Sequence, residues 1–359
     1  MVNVMLIFFG SVMITYLIWI SYLIMGKSKG EFERNLSTEK SIDIIIPTRN
    51  NPKTVIELIQ DIQRQIKSSS NTQIIVIDDH SEPPITLGTS NDNIQLIQND
   101  GTGKKMALQT GISKSNADWI VTLDDDISLP ADWWNQLNKE CNEETDLLIL
   151  PIEIARQKGF LHYFQWLEFS ILQQITQGSA GRKTPLLCNG AHLAVKKKLW
   201  LQYSENPDFH KTPSGDDQFL LEFFRIHQFN IRCARNSQLK VSTPACNTWF
   251  ALLEQRRRWS AKAQHYSLWD MQFLGWITLL SNLGAFFFLC MWPCSDYPLS
   301  ALFFFTIYLL IEFCWTEKTA RRKPLSTFFF LLFYPFYVIL TVLSFVIFRT
   351  HWKGREIRS

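Results

Sequence analysis

The hydrophobic residues of this 359-residue chain are concentrated in four long stretches, and this uneven distribution limits how the chain can fold. Residues 4–25 carry no charged side chain, and residues 273–292, 299–315 and 328–348 together carry only one, that of Glu312. Each stretch is close to the ~20 residues that an α-helix needs to cross the hydrocarbon core of a bilayer. The sequence therefore predicts an integral membrane protein, with one helix near its N-terminal end and two or three near its C-terminal end.

The remaining residues divide the chain into four predicted regions. These are a transmembrane anchor over residues 4–25, a soluble domain over 41–262, a membrane region over 270–348 and a basic tail over 349–359. No basic residue precedes the first stretch and no clear small-residue cleavage site follows it. This pattern favours a retained anchor over a cleaved signal peptide.

Charge and cysteine content suggest a compartment and exclude one class of partner. Lys27, Lys29 and Arg34 follow the first stretch, so the positive-inside rule predicts that the chain from residue 26 onward is cytoplasmic. The net charge of +3 is too small to indicate a nucleic-acid partner. The seven cysteines show neither C-x-x-C nor metal-ligand spacing, which indicates reduced thiols.

The soluble domain alternates strand-like and helix-like segments. Short apolar runs over residues 41–50, 73–79, 93–98 and 119–123 predict strands, whereas the apolar spacing over 52–66 and the segment 104–113 predict helices. Such alternation is typical of an α/β fold with a mostly parallel sheet. Ligands of these sheets bind beyond the carboxyl ends of the strands, where Asp78, Asp79 and three further aspartates occur.

Those three aspartates, Asp124, Asp125 and Asp126, directly follow the predicted strand over residues 119–123. Adjacent carboxylates repel each other, and a bound divalent cation would remove that repulsion. Residues two apart in an extended chain point the same way, so Asp124 and Asp126 can face one ion. Oxygen ligands suit Mg²⁺ or Mn²⁺. The alternative is a solvated acidic turn that leads into a helix near Asp132.

The glycine-containing segment GTGKK, residues 101–105, does not meet the requirements of a Walker A loop. Gln98 stands where that loop needs a glycine, and Lys105 stands where it needs serine or threonine. A glycine turn leading into a helix is the simpler interpretation. The helix N-terminus and Lys104 can nevertheless attract an anion.

Seven motifs occur in an order that resembles the family 2 glycosyltransferases of GT-A fold. They are IIIPTRN, VIDDHS, GTGKKMALQTG, VTLDDD, LLCNGAHLAVKKKLW at residues 186–200, GDDQFLL at 215–221 and QRRRW at 255–259. The last motif is similar to one in membrane-associated members, including the cellulose and hyaluronan synthases. The resemblance implies a Rossmann-like, mixed and mostly parallel sheet in a cytoplasmic domain that is anchored by transmembrane helices.

The resemblance also implies a donor site for a UDP-sugar and a divalent metal. It assigns Asp78 and Asp79 to the uracil or ribose, and Asp124 and Asp126 to Mg²⁺ or Mn²⁺. The other residues that it places at the nucleotide-sugar are Thr48, Arg49, Lys104, Asp124 and Asp125. As an alternative role, Asp78 or Asp79 can cap the turn that follows.

For the transfer itself, the resemblance implies that Asp217 is the catalytic base of an inverting reaction. Asp216 is the rival for that role, and both can instead cap a helix that begins near Gln218. Residues assigned to the acceptor or pyrophosphate are Asp216, Gln255, Arg258 and Trp259. The alternative for QRRRW is a basic collar at the membrane surface, with Arg256 and Arg257 as the lipid-facing pair.

Two further segments leave alternatives open. Residues 160–176 form an amphipathic helical stripe, which is typical of a core helix, although its aromatic residues also suit a membrane interface that lines an acceptor entry. Pro335 interrupts the last apolar stretch, and a bent, re-entrant segment there would return the basic tail to the cytoplasm. The tail sequence WKGR, residues 352–355, resembles a C-terminal motif of hyaluronan synthases.

These observations predict a metal-dependent, inverting and non-processive transferase that moves a sugar from a UDP-sugar to a hydroxyl of a membrane lipid, in a bacterial inner membrane. A processive polysaccharide synthase is the first alternative, but three or four membrane helices are few for a translocation channel. A catalytically inactive membrane scaffold is the second. Transport is disfavoured because the membrane region lacks a series of charges beyond Glu312.

Overall fold

The computed structural model describes residues 2–26, 40–66, 72–87, 92–210, 216–291, 298–320, 324–348, 350–352 and 355–357. The chain forms two compact units. The first, here called the sheet unit, comprises Lys27–Ala155 and Thr176–Pro244. The second, here called the helical unit, comprises Met1–Gly26, Arg156–Ile175 and Ala245–Ser359.

Eleven strands occur in the part of the chain that the structure describes. They are β1 (Ile42–Thr48), β2 (Ile74–Asp78), β3 (Ile94–Gln98), β4 (Trp119–Leu123), β5 (Leu147–Ile149), β6 (Ile152–Ile154), β7 (His192–Lys196), β8 (Ile231–Cys233), β9 (Val241–Thr243), β10 (Thr350–Trp352) and β11 (Arg355–Ile357). The four predicted strands are β1 to β4, which agree with their predicted bounds to within two residues.

The helices of the same described residues are α1 (Val2–Ile24), α2 (Pro52–Gln65), α3 (Lys104–Lys114), α4 (Trp133–Glu140), α5 (Phe160–Gly181), α6 (Lys197–Ser204), α7 (Asp216–Ile226), α8 (Trp249–Ala263), α9 (Trp269–Met291), α10 (Pro298–Ala320) and α11 (Pro324–Ile347). Short 3₁₀ turns cover Pro207–His210 and Ser237–Leu239. Helix α2 shows how sequence sets these elements: Pro52 begins it, and Val55, Leu58, Ile59 and Ile62 form its buried face.

The core of the sheet unit is a seven-stranded sheet in the order β3-β2-β1-β4-β7-β5-β8. Strands β1, β2 and β4 are buried along their whole length, as expected for a sheet covered on both faces. All pairs are parallel except those that β7 makes with β4 and β5. The predicted mixed, mostly parallel α/β sheet is therefore confirmed. Strands β6 and β9 form a separate parallel pair.

The order in which strands are added to the sheet reverses beside β1, although the neighbouring strands stay parallel. The chain runs outward from β1 through β2 to β3, and then returns to the other side of β1 as β4. Crevices beyond the carboxyl ends of the strands at such a reversal are the usual ligand sites of open α/β sheets. Thr48 ends β1 and Asp124 follows β4, so both lie at this crevice.

The helical unit contains three helices that are long and apolar enough to cross a membrane, counting only described residues. They are Val4–Ile24, Trp269–Cys290 and Pro324–Ile347. Their positions correspond to the first, second and fourth predicted stretches, while the third is the 23-residue helix α10. One expectation is wrong: α11 continues through Pro335 without interruption. Phe330, Leu331 and Tyr337 pack on both sides of the proline in one hydrophobic cluster, which holds the two halves together.

The first part of α5 belongs to the helical unit, where it packs against α8 and α11. Phe164 and Leu167 are fully buried in the cluster that joins these helices, together with Leu252 and Phe330. This confirms a core role for much of the predicted amphipathic stripe. Phe160, at the start of α5, remains exposed.

The end of the chain forms a small antiparallel hairpin from β10 and β11, and β10 lies beside α8. Of the predicted tail motif, Lys353 and Gly354 lie outside the described residues. So do Lys27, Lys29 and Arg34, the basic residues on which the predicted orientation depends.

Candidate active site

The acidic turn after β4 separates its three carboxylates. Asp125 is buried, and the Thr48 hydroxyl donates a hydrogen bond of 2.7 Å to its Oδ2. Asp124 and Asp126 on either side are partly exposed. Asp125 therefore connects the ends of β1 and β4, and its two neighbours remain the candidates for a metal ion.

Lys104 is the first residue of α3, and its ammonium group is paired with the acidic turn. Its Nζ donates to Asp124 Oδ1 at 2.5 Å and to the carbonyl oxygen of Gly190 at 3.3 Å. The preceding residue, Gly103, has φ of 90°. L-residues with a side chain rarely adopt that conformation, so glycine is suited to the turn that starts α3.

Asp79 holds the loop that presents Lys104. Its Oδ1 accepts hydrogen bonds from the Asn99 side chain at 2.7 Å and from the Gly103 N–H at 2.9 Å. Arg49 Nη1 donates to the Asp79 carbonyl at 3.1 Å and lies 3.8 Å from its Oδ2. Asp79 thus joins the loops that follow β1, β2 and β3.

Asp78 is fully buried and shapes the loop that follows β2. Its carboxylate accepts hydrogen bonds from the N–H groups of Ser81 and Ile85, at 2.9 and 3.1 Å, and from the Gln98 side chain at 3.3 Å. Burial acts to raise the pKa of this carboxyl, but the hydrogen bonds outweigh it and lower the pKa below its ordinary value. The turn-capping role considered from sequence is present at Asp78, and its contact with a nucleotide stays a prediction.

Asp217 lies in the first turn of α7. Its Oδ1 accepts from the Gln218 N–H at 2.8 Å, and its Oδ2 accepts from the Gly190 N–H at 3.1 Å. Asp216 begins the same helix, but its side chain lies outside the described residues. The helix therefore begins two residues earlier than the sequence predicted.

Gly190 links the candidate base to the candidate metal site, and sequence reasoning assigned it no role. Its N–H donates to Asp217, while its carbonyl accepts from Lys104, which is paired with Asp124. The next residue, Ala191, accepts a hydrogen bond of 3.2 Å from the Asp124 N–H. The only available signal was the NGA segment within the motif at residues 186–200.

His192 is a second residue that sequence reasoning missed. It pairs with Leu123 across β7 and β4, and Leu123 is the residue immediately before the acidic turn. Trp133 Nε1–H donates to its Nε2 at 3.0 Å, and its Nδ1–H donates to the Pro151 carbonyl at 3.0 Å. Burial lowers the pKa of His192 to about 4, against the opposing effect of the Pro151 hydrogen bond, so the ring is neutral at pH 7.

Of the four residues predicted at the acceptor or pyrophosphate, Asp216 belongs to the sheet unit and the other three belong to the helical unit. Gln255, Arg258 and Trp259 all lie on α8, where Thr248 caps the first turn through a hydrogen bond from the Ala251 N–H. The expectation that Arg256 and Arg257 face lipid is wrong, because both are buried. Arg256 is paired with Glu168 of α5 at 2.7 Å, since a buried guanidinium needs a partner charge.

The acidic turn offers a donor set that suits a hard divalent cation. Asp124 and Asp126 would supply two carboxylates. Among the described residues, no group of three or more His, Cys, Asp or Glu side chains is placed to hold a metal ion without further ligands. Mg²⁺ and similar ions are commonly bound by one or two carboxylates with substrate phosphates completing the shell. The residues present therefore fit an ion that is shared with a diphosphate.

A separate cavity of about 830 Å³ lies elsewhere in the sheet unit, near the start of β4. It is lined by residues such as Lys40, Asp118, Trp119, Lys196 and Lys197. None of the predicted site residues lines it. The candidate site is therefore the crevice beyond β1 and β4, and this cavity is separate from it.

Comparison with known proteins identifies a family domain in part of the chain. The model of Glycosyl transferase family 2 matches residues 43–200, which include β1 to β4, the acidic turn and Gly190. The chain carries a family 2 glycosyltransferase domain. A comparison with curated protein sequences gives no match. The further resemblance to cellulose and hyaluronan synthases stays a prediction.

One solved structure supports this fold over 97% of the chain, and two others align with lower scores. The mannosyltransferase PcManGT from Pyrobaculum calidifontis, in complex with GDP-Man and Mn²⁺, aligns with a TM-score of 0.64 and 13% identity, covering 97% of this chain and 99% of that chain. S. aureus TarS aligns with a TM-score of 0.40 and 13% identity, covering 67% of this chain and 43% of that chain. Glucosyl-3-phosphoglycerate synthase from Mycobacterium tuberculosis, with Mn²⁺, UDP and glucosyl-3-phosphoglycerate, aligns with a TM-score of 0.39 and 14% identity, covering 63% of this chain and 82% of that chain.

Proposed function

We propose that this glycosyltransferase is an inverting, metal-dependent enzyme that moves a sugar from a nucleotide-sugar to a hydroxyl of a membrane lipid. The observation that carries the proposal is the bridge at Gly190. Through its N–H and carbonyl, one residue connects the candidate base Asp217 with the Lys104–Asp124 pair. A base and a diphosphate site held together in this way suit the transfer of a group from a diphosphate to a hydroxyl.

The donor in this proposal is a nucleoside diphosphate sugar bound at the crevice beyond β1 and β4. The residues proposed to hold it are Thr48, Arg49, Asp78, Asp79, Lys104, Asp124 and Asp125. PcManGT was solved with GDP-Man and Mn²⁺, which supports the general class of donor and metal. UDP is our expected nucleotide, and a guanine nucleotide is the alternative that the experiment must include.

In the proposed reaction, Asp217 accepts the proton of the acceptor hydroxyl. The acceptor oxygen forms a bond to the anomeric carbon as the bond from that carbon to the diphosphate oxygen breaks on the opposite face, and the electron pair leaves with the diphosphate. The hydrogen bonds from Gly190 and Gln218 orient the Asp217 carboxylate for this step. A divalent cation on Asp124 and Asp126 would supply positive charge to the diphosphate.

Apolar helices support a lipid acceptor and a membrane location. Val4–Ile24, Trp269–Cys290 and Pro324–Ile347 have the length and composition of membrane spans. Large aromatic side chains such as Phe250 and Trp276 are exposed on the helical unit, where lipid can contact them. We propose a bacterial inner membrane with the sheet unit in the cytoplasm. We also propose a non-processive reaction, because the three candidate spans among the described residues are few for a channel that translocates a polymer.

The test uses the full chain purified in detergent. It is incubated with a panel of UDP- and GDP-sugars and Mn²⁺ or Mg²⁺, with or without a total membrane lipid extract, and release of the nucleoside diphosphate is followed. We expect release that depends on lipid and metal and yields one glycolipid. Polymer as the product would overturn the non-processive assignment in favour of a polysaccharide synthase.

Two neighbouring variants test the base. Asp217→Asn should lower kcat by about 10²- to 10⁴-fold, the usual contribution of a general base. Asp216→Asn is the comparison: as a predicted acceptor residue it should raise the KM for the lipid, while kcat should fall far less than in Asp217→Asn. The reverse pattern would assign the base to Asp216. If no donor is turned over and no nucleotide raises the Tm in the presence of Mn²⁺, the inactive scaffold replaces the transferase.

A further inference from the structure

We infer that Arg256 is a positioning residue for the acceptor side of the reaction, held in place by a buried ion pair with Glu168. It occupies the first variable position of the QRRRW motif, between Gln255 and Trp259. The inference rests on the proposed function, because it assigns how the motif residues proposed to meet the acceptor are oriented.

The ion pair itself has the geometry of a two-point contact. Arg256 donates from Nε to Glu168 Oε2 at 3.1 Å and from Nη2 to the same oxygen at 2.7 Å. Arg256 is 5% exposed and Glu168 is 6% exposed, so both charges are almost completely removed from water. Such a pair is strongly directional, because the planar guanidinium must keep one orientation to preserve both hydrogen bonds.

The same guanidinium contacts two of the four residues assigned to the acceptor or pyrophosphate, Gln255 and Trp259. Its Nη1 donates to Gln255 Oε1, which also lies 3.7 Å from the Cys246 thiol. Its Cζ lies 4.1 Å from the centroid of the Trp259 ring, a cation–π distance. Gln255 and Trp259 are four residues apart on α8, so one fixed group between them can set both side chains.

A third helix joins this arrangement. Tyr337 of α11 donates from its hydroxyl to Glu168 Oε2 at 3.5 Å. Glu168 therefore receives hydrogen bonds from α8 and from α11, while itself lying on α5. Through this carboxylate the orientation of the QRRRW side chains is coupled to a helix long enough to span the membrane.

The next residue, Arg257, provides a matched comparison within the same motif. It is also buried, at 8% exposure, but its ion pair is with Glu254 on its own helix at 3.6 Å. That i,i+3 pair connects α8 to no other helix. A general requirement for buried arginine in this segment would affect both residues, whereas positioning of Gln255 and Trp259 requires only Arg256.

The experiment compares Arg256→Lys with Arg257→Lys in the full chain, using the lipid extract fraction that accepts sugar from the wild type. Lysine keeps the positive charge but lacks the planar guanidinium that donates hydrogen bonds to both Glu168 and Gln255. We expect Arg256→Lys to raise the KM for the lipid by about tenfold, with the KM for the nucleotide-sugar within about twofold of the wild type. Glu168→Gln should shift the same constant in the same direction, and Arg257→Lys should change neither.

A reversed pair, Glu168→Arg with Arg256→Glu, guards against simple misfolding. It restores opposite charges across α5 and α8 without restoring the guanidinium next to Gln255 and Trp259. Recovery of Tm in this double variant without recovery of the lipid KM is expected. Arg256→Lys variants that lose Tm while both KM values stay unchanged would show that the pair is structural only, and would overturn the inference. A wild type that transfers no sugar would instead refute the proposed function, and the positioning role with it.

Discussion

At the residue scale, the site divides into groups that sequence identifies and groups that only packing reveals. Asp124, Asp126 and Asp217 stand out in sequence because clustered carboxylates at the ends of strands and helices repel each other unless a counter-charge or ligand is present. Gly190 and His192 carry no such signal: the first acts through its backbone, and the second becomes distinctive only once burial lowers its pKa to about 4. Main-chain contacts and desolvation depend on tertiary structure, so no residue pattern predicts them.

We predict that His192 makes the protein less stable as pH falls from about 6.5 to about 4. The unfolded state takes up the proton near pH 6.5, whereas the native state, whose His192 pKa is about 4, does so only near pH 4. Between these values the unfolded state binds more protons, which destabilises the fold by up to about 3 kcal/mol at pH 4 and by nothing at pH 8. Thermal unfolding in detergent across this range should show the loss.

His192→Gln provides the comparison for that prediction, because glutamine cannot titrate. It should unfold at a lower temperature than the wild type at pH 8, since it fits the Trp133 and Pro151 hydrogen bonds less well. The difference should shrink as pH approaches 4. Parallel curves for the two proteins would contradict a buried neutral histidine.

A second prediction concerns the hydrogen bond between Thr48 and Asp125. Thr48→Ala removes a donor from a buried carboxylate and should destabilise the fold by about 1–3 kcal/mol. Thr48→Ser retains the hydroxyl and should lose much less. The measurement is denaturant unfolding of the three proteins, and equal losses for alanine and serine would show that the methyl group, not the hydrogen bond, matters here.

At the scale of elements, prediction succeeded where apolar runs were long enough to show a period. Strands β1 to β4 and helices α2 and α3 were found because each presents a continuous or periodic apolar face. The three-residue strands β5, β6, β8 and β9 are too short to show any period. The antiparallel pairing of β7 with β4 and β5 is set by the path of the chain between β6 and β7, which local sequence does not determine.

Helix α3 illustrates how closely these elements approach each other. A Cβ added at Gly111 would lie 2.5 Å from Ile77 Cδ1 of β2 and 3.0 Å from Ile45 Cγ2 of β1. Alanine is the better helix former by about 1 kcal/mol, but the clash should outweigh this and leave Gly111→Ala destabilised by about 1–3 kcal/mol. Thermal unfolding should report the loss.

The same clash provides its own control. Ile77→Val removes the Cδ1 atom and should recover part of the stability when combined with Gly111→Ala, giving a favourable coupling in a double-mutant cycle. Gly275 in α9 has no atom within 4 Å of its added Cβ, so Gly275→Ala should not destabilise. Additive effects of Gly111→Ala and Ile77→Val would mean that α3 does not approach β2 this closely.

At the scale of the whole molecule, the side of the membrane on which the C-terminal tail lies depends on how many apolar helices of the helical unit cross the bilayer. Hydropathy identified the apolar helices, but counting them could not place the C-terminal tail. The structure adds a contact that a count of apolar helices does not include. Strand β10 of the tail lies beside α8, and α8 follows the sheet unit in the chain. None of the described residues between α1 and α9 forms a candidate span, and on this basis we expect α8 to lie on the same side of the membrane as the sheet unit.

We therefore predict that the C-terminal tail lies on the same side of the membrane as the sheet unit, even though α11 runs uninterrupted through Pro335. An epitope tag after Ser359 should be digested by protease only in vesicles whose cytoplasmic face is outward, together with a tag placed in the exposed turn at Glu205. A tag before Met1 should show the opposite protection, because α1 separates it from both. Digestion of the C-terminal tag in vesicles of the opposite orientation would place the tail across the membrane from α8. That result would contradict the contact between β10 and α8 in the structure.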